Sequence, residues 1–429
     1  MFRVCLTIAS IFLCTQVPLS AAELLPADQP MESVIDHYVD DLIKTNDVQT
    51  ASQIDEHILV RRMTLDLAGR IPTTAELHAF VSSDPATRRA ELVNKLLASP
   101  DFIDHHRNEL QVLLEYPARR NDNDFRKYLL WATEQNRPWD SMFRDMLAGD
   151  ENDEYQKAAL QFVKHRAKSL DDLTNDTAIL FFGVNVSCAK CHDHPLVEDW
   201  KQDHYYGMQS FFSRTYLTKK QSLGEKFYGD VKFTTTTGVE KQAQFMFLNG
   251  VIVKDGTPEL NDDSRKKYDE LIKKLQQDDK VEVSYPEFRP RERLVETASH
   301  KDNDAFLARN IVNRIWQRLT GRGIVDPPDQ LHSENLPSHP ELLDWLARDT
   351  VEHEYDLKRL IRGIVLSKSY SRSSEWNSAA DPPSSHYFAV AIPRPLSPRQ
   401  YAMSLLVATR NPPHWEQWLT KPPEDWKKE

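Results

Sequence analysis

Along most of the chain apolar residues recur at intervals of three and four, the period that buries one face of an α-helix. Val34, Ile35, Tyr38, Val39, Leu42 and Ile43 form one such stripe, and Ile58, Leu59, Met63 and Leu65 form the next. Gly69 stops that second stretch, after which Thr73 or Thr74, with Glu76 behind it, opens another helix. The spacing predicts further helices over 86–98, 102–114, 122–135 and 138–148. Ser169 and Asp172 make a start signal for a helix whose buried face is Leu170, Leu173, Ala178, Leu180 and Phe181, and Gly183 ends it. An aromatic-rich helix follows, with Trp200, Tyr205, Tyr206, Met208, Phe211 and Phe212.

Residues 228–257 change to alternating runs around Asn-Gly and Gly turns and predict strands. The stretch 261–280 is nearly all polar, with Tyr268, Leu271, Ile272 and Leu275 as a thin stripe, and reads as a solvated connecting helix. Helical spacing returns with Phe306, Leu307, Ile311, Val312, Ile315, Trp316 and Leu319, halted by Gly321. Ser338 with Pro340 and Glu341 predicts a capped start, Asp356 another, and one more helix is expected over about 397–409. Asn313 and Arg314, on an otherwise apolar face, are expected to pair with a carboxylate such as Asp326 or Asp344. After Tyr370 the chain is rich in Pro and Ser and carries Trp376, Trp415, Trp418 and Trp426, which reads as a tail that docks on another protein. The fold class is therefore mainly α, a multi-helical two-domain protein with one small β unit near residues 228–257. The domains are expected over 23–290 and 291–429, with the boundary near 285–300.

Residues 1–22 change where the protein is expected to act. Arg3, the apolar run from Val4 to Leu13 and the small residues Ser20, Ala21 and Ala22 have the form of a secretory signal peptide cleaved after Ala22. No later segment approaches the length of a membrane span, so the mature chain is expected to be soluble and periplasmic or otherwise extracytoplasmic. Removal of this segment leaves 53 basic against 65 acidic residues, a net charge of −12. That acidity argues against nucleic acid as a partner.

Chemistry concentrates in Cys188-Ala189-Lys190-Cys191-His192, followed by Asp193-His194-Pro195. The chain has 4 cysteines, and the other two, Cys5 and Cys14, lie in the signal segment. A spacing of three between two cysteines placed at random in such a chain arises on the order of once in 200 cases. Two thiols so spaced and a histidine directly after are the arrangement for covalent haem c attachment, with Cys188 and Cys191 as thioether anchors and His192 as the proximal axial ligand. Covalent haem attachment takes place outside the cytoplasm, which agrees with the signal segment. A zinc site using Cys188, Cys191 and His192 or His194, a redox-active dithiol and a plain structural disulfide are the alternatives. Met208, His204 and His165 are candidates for the distal ligand. Asp193 and His194 are expected to support the site from behind the ligands.

The chain resembles the exported planctomycete cytochrome-like proteins in which domain of unknown function 1549 is followed by domain of unknown function 1553. The resemblance rests on Arg62-Met63-Thr64-Leu65-Asp66-Leu67-Ala68-Gly69, Leu96-Leu97-Ala98-Ser99-Pro100, Leu147-Ala148-Gly149-Asp150 and the stretch from Phe182 to Pro195. In the second half it rests on Asn310-Ile311-Val312-Asn313-Arg314-Ile315-Trp316, Gly321-Arg322-Gly323, the stretch from Pro337 to Asp344, and Asp356-Leu357-Lys358. It implies haem binding at Cys188, Cys191 and His192 and an exported protein, encoded nearby, as partner. It departs from the family at residues 108–116 and in an apparently shortened second domain.

Three classes of function follow: an accessory protein passing single electrons to an extracytoplasmic partner, an enzyme on an extracytoplasmic substrate such as a polysaccharide, and a scaffold stapled by haem or zinc. For the enzyme, Asp193, His194, His339 and Asp344 are the polar groups of interest. No nucleophile, oxyanion or dinucleotide motif accompanies them.

Overall fold

Helices in this protein begin where a side chain meets the free N–H groups of a first turn, and several end where glycine takes the left-handed conformation. The structure, a computed structural model, describes residues 24–115, 122–195, 197–278, 286–300, 303 and 305–409. Asp55 accepts from His57 N to open Glu56–Ala68, and Gly69 closes it at φ +68°. Thr73 and Glu76 form the reciprocal capping box of Thr74–Ser82. Ser169 accepts from Asp172 N at the start of Leu170–Phe182, and Gly183 ends that helix at φ +68°. A Cβ at Gly183 would run into Leu331 and would stand 2.8 Å from Asn310 Oδ1. Asp356 caps Leu357–Leu366, and Ser397 with Gln400 caps Pro398–Ala408.

One start signal is spent elsewhere. The helix Pro340–Glu352 has His339 at its N-cap and no side-chain cap. Ser338 Oγ instead donates to Ile324 O at 3.1 Å, anchoring the preceding loop. Three helices lie where the spacing gave no clear prediction: Glu154–Ala159, Gln161–Arg166 and Pro290–Ala298.

The protein is mainly α, with small two-stranded antiparallel pairs. Two of these, Lys232–Thr234 with Glu240–Gln242 and Phe245–Met246 with Ile252–Val253, fall within the expected 228–257. A third, Thr215–Leu217 with Leu223–Glu225, precedes it. Gly224 lets this hairpin close, because a Cβ there would meet the Tyr216 ring. Tyr216 then packs with Ile272 and Leu275, so Asp262–Gln277 is seated on the hairpin by its thin apolar stripe.

A single apolar cluster extends from Met31 to Ala389. Met31–Thr45 packs on Leu357–Leu366 and Pro340–Glu352, Leu170–Phe182 on Ala305–Thr320, and Trp139–Ala148 on Pro290–Ala298. The expected boundary near 285–300 therefore lies between helices that share one core. Trp139, Trp316 and Trp345 are fully buried in it. Truncating side chains of this size costs roughly 3–5 kcal/mol each.

Residues after Tyr370 belong to this fold at least to residue 409, which corrects their reading as a tail. Ala51 N donates to Ala389 O, Ile54 N to Ser371 O and Ser373 N to Ser52 O, all at 2.8–2.9 Å. Arg62 Nη1 donates to Tyr370 O at 2.6 Å and Arg372 O at 2.9 Å. Buried Asp66 accepts from Tyr370 OH at 2.7 Å and from Arg394 Nη2 at 2.7 and 2.9 Å. Trp415, Trp418, Trp426 and the signal segment lie outside the described residues.

Asn313 and Arg314 also differ from expectation. Asn313 exchanges both of its bonds with the Val325 backbone, and Arg314 donates to Asn310 Oδ1 and Ile179 O. Burial lowers Arg314 to about 10, with Asp329 opposing the shift. Asp344 and Asp326 pair with Arg309 and Arg322 instead. Among the described residues no helix is long and apolar enough to cross a membrane.

Candidate functional site

Gly183 turns the chain out of Leu170–Phe182 and delivers it to a 3-10 turn, Ser187–Lys190, that bears the first cysteine. The approach is fixed by backbone pairing to the second half of the chain. Val184 bridges Gln330, Asn185 N donates to Asp329 O at 3.0 Å, and Leu331 N donates to Gly183 O at 2.9 Å. Asn185 Oδ1 accepts from Ser187 N and Oγ, which tightens the entry to the turn. Val184, Val186 and Ala189 point into the core. Cys188, Cys191 and His192 are exposed, and both cysteines are free thiols. Apolar alternation thus places every reactive group of the motif on the outside.

Side chains from two helices hold the turn. Asp171, in the first turn of Leu170–Phe182, accepts from Lys190 Nζ at 2.5 Å, Tyr205 OH at 2.6 Å and Gln209 Nε2 at 2.9 Å. Gln202 Nε2 donates to Cys191 O at 3.2 Å, and Tyr206 OH donates to Lys190 O at 3.0 Å. Gln202 N, at the start of Gln202–Ser210, donates to Asp193 Oδ1 at 2.9 Å. Hydrogen bonds from Lys190 and Tyr205 hold the Asp171 carboxyl below the usual carboxylate range, and Asp171 raises Lys190 in return. The pair is partly exposed, so it orients the turn and adds little stability, about 0–1 kcal/mol.

His192 Nδ1 lies 2.7 Å from Asp193 O. A carbonyl only accepts, so Nδ1 donates, and in the neutral imidazole Nε2 is the nitrogen that keeps a lone pair. A metal-binding histidine is commonly prepared in this way, its other nitrogen donating to a carbonyl or carboxylate. Two outward sulfurs and an imidazole with its outer nitrogen available fit the donor set of a covalently attached haem.

Beyond the motif, His194 N donates to Trp200 O at 2.8 Å, closing the loop 194–200. Asp199 accepts from Ser333 N and Oγ at 2.8 Å each, docking that loop on residues 331–337. Between them lies a cleft of about 300 Å³ bordered by Trp200, Phe306, Arg309, Leu331 and the exposed Leu336.

The distal candidates occupy different settings. Met208 is fully buried in the core. His165 Nε2 lies 2.8 Å from an Asp122 carboxylate oxygen. His204 accepts from Lys201 N through Nδ1 at 3.2 Å and meets Trp200 edge-on, and burial lowers its pKa. The polar groups considered for an enzyme lie apart: Asp193 is bonded to Gln202 N and Asp344 to Arg309, while His339 meets Ser338 Oγ through Nδ1 and its buried Nε2 has no hydrogen-bond partner among the described residues. Among the described residues no three His, Cys, Asp or Glu side chains gather as a metal cage.

Asp171 and Gln202 are residues that the sequence did not single out for the site, and Tyr206 stood out only as one of the aromatic residues of the following helix. Asp171 follows the recognised cap Ser169 by two positions, so the cap was the available signal. Gln202 and Tyr206 are four apart and share a helix face. Their reach to the turn depends on tertiary packing.

Residues 34–216 match the family model described as protein of unknown function (DUF1549), and residues 290–424 match a second, protein of unknown function (DUF1553). The first match contains the cysteine turn and its brace, and the second contains Arg394 and the helices that close the core. No curated protein and no solved structure matches the chain. With both regions present, in this order and over most of its length, the chain belongs to the family of proteins in which a DUF1549 region is followed by a DUF1553 region.

Proposed function

We propose that this is an exported c-type haem protein that passes single electrons to or from an extracytoplasmic partner. Cys188 and Cys191 would hold the haem through two thioether links, and His192 Nε2 would donate to its iron. The observation that carries the reading is the pair of exposed sulfurs beside an imidazole whose Nδ1 is already engaged by Asp193 O at 2.7 Å. When bound, the haem supplies a reversible iron couple. Asp171, Gln202 and Tyr206 keep the turn in place against the helix Gln202–Ser210, so the donors are presented together. His204 is the residue we favour as a second donor to the iron, since Met208 would have to leave the core and His165 is held by Asp122. Two imidazoles give a lower potential than a histidine and a thioether.

The test is to produce the full chain with an extracytoplasmic haem maturation system and stain a denaturing gel for haem. A stained band that disappears in Cys188→Ala and Cys191→Ala, with a reversible optical redox titration, is the expected result. An unstained chain carrying stoichiometric zinc overturns the reading in favour of the zinc-stapled scaffold.

A further inference from the structure

The stretch from Arg61 to Arg70 has no part in the haem reading, yet it borders a second site. Between the helix Glu56–Ala68 and residues 392–400 lies a crevice of about 190 Å³. Three arginines, Arg61, Arg62 and Arg394, line it beside one carboxylate, Asp66. Asp66 has little left to offer, because Arg394 and Tyr370 already occupy its oxygens. Arg62 spends Nη1 on two carbonyls and leaves Nε and Nη2 without a partner among the described residues. Arg61 is exposed and has no hydrogen bond or ion pair among the described residues. A surplus of positive charge is therefore concentrated in one crevice of a chain whose net charge is −11.

Ser374 and Gln400 add two neutral polar groups, Gln400 already bonded to Ser397 N and Leu65 O, and the rest of the lining is apolar. Ile392, Pro393, Pro395 and Leu396 form one wall, and Ile58 and Leu65 form part of the other. Ile58 and Leu396 remain 50% and 36% exposed at the mouth. An inorganic oxyanion would use only the guanidinium end. A ligand that satisfies both ends carries a negative group on a short apolar stem. The volume lies below the roughly 300 Å³ at which drug-sized sites begin, which limits the stem to a few carbons or one ring.

We infer that this crevice binds a small carboxylic acid, its carboxylate against Arg61 and Arg62 and its apolar stem along Ile392, Pro393, Pro395 and Leu396. Guanidinium recognises a planar carboxylate through paired N–H donors, and charge-assisted bonds of this kind are the stronger ones. The site is independent of the haem reading, since its lining includes none of the cysteine turn.

Calorimetric titration of the full chain with benzoate tests the inference, with benzamide as the uncharged analogue and sulfate as the anion without a stem. Benzoate is expected to bind saturably at one per chain, and both comparators at least about tenfold more weakly. Arg61→Glu should weaken benzoate by a similar factor without moving the unfolding midpoint, because that side chain is exposed and unpaired among the described residues. Arg62→Ala is a poor probe, since Arg62 also holds the backbone of Tyr370 and Arg372. Leu396→Glu, at the mouth, is the second variant and should act like Arg61→Glu. Equal binding of benzamide, sulfate binding as tight as benzoate, indifference to both variants or no saturable binding in the millimolar range would each overturn it.

Discussion

The cysteine turn and the knot formed by Arg62, Asp66, Tyr370 and Arg394 are both polar and both lie within stretches that mark the family. They differ in what they leave unspent. In the knot, Tyr370 and Asp66 are buried and the Asp66 oxygens are occupied by partners from the other half of the chain. In the turn, the backbone and the flanking side chains are bonded, while two sulfurs and one imidazole nitrogen face outward. A buried polar group without a partner costs about 1–3 kcal/mol, so an occupied carboxylate at the centre of the knot is what structure demands. Donors left open at the surface carry no such penalty and remain available for bonding to something else.

The comparison breaks first if the knot proves dispensable. Asp66→Ala strands a buried phenol and a guanidinium and should cost about 3–5 kcal/mol, read as a shift of the urea midpoint at constant slope. A loss below about 1 kcal/mol would show that the two halves are held by apolar packing and backbone pairing without need of the knot.

Acid sharpens the same contrast. Burial, with His386 and Arg372 adding to it, lowers His339 to about 4, and burial with Arg318 lowers His105 to about 3. Both are near 6.5 when unfolded. Between pH 6.5 and 4 the unfolded chain therefore holds protons that the folded chain refuses, and stability must fall as pH is lowered. From His339 alone the loss is on the order of 2–3 kcal/mol, and His339→Asn should flatten that part of a stability profile from chemical denaturation. An unchanged slope in the variant would mean that His339 is accessible to protons while folded.

The smallest effect is expected at the turn itself. In chain produced without haem, Cys188→Ala and Cys191→Ala should each alter stability by less than about 0.5 kcal/mol, because both sulfurs are exposed. A loss above about 2 kcal/mol by the same denaturation measurement would place the thiols in the structural class with the knot.

Local signals made much of this fold legible. Gly69, Gly183 and Gly321 stop helices where the apolar stripes end, and all three have positive φ. Thr73, Ser169, Asp356 and Ser397 act through bonds that span two or three residues, so the sequence contains both partners. What was not legible depends on residues far apart. Ser338 lost its cap role because Ile324 O was in reach, and Arg314 found carbonyls of Ile179 and a neighbouring amide rather than an acid. Glu225, fully buried, is met by Arg289 and Arg291 some 64 and 66 positions later, and it lies in the hairpin that the three-residue strands concealed. The site divided in the same way. The spacing of the donors could be read directly, but the brace from Asp171, Gln202 and Tyr206 requires a helix to fold back on the turn.

The supports of the cysteine turn also differ in when a growing chain can make them. Lys190 reaches Asp171 across 19 positions, and Gln202 reaches the Cys191 carbonyl across 11. The backbone pairing of Gly183, Val184 and Asn185 waits for residues 329–331, well over a hundred positions downstream. A chain emerging from its amino end therefore presents the two thiols on a turn already clamped by near neighbours but still free to swing on its approach strand. Any factor that modifies the cysteines during this interval meets a more yielding substrate than the finished molecule, and completion of the second half closes the interval.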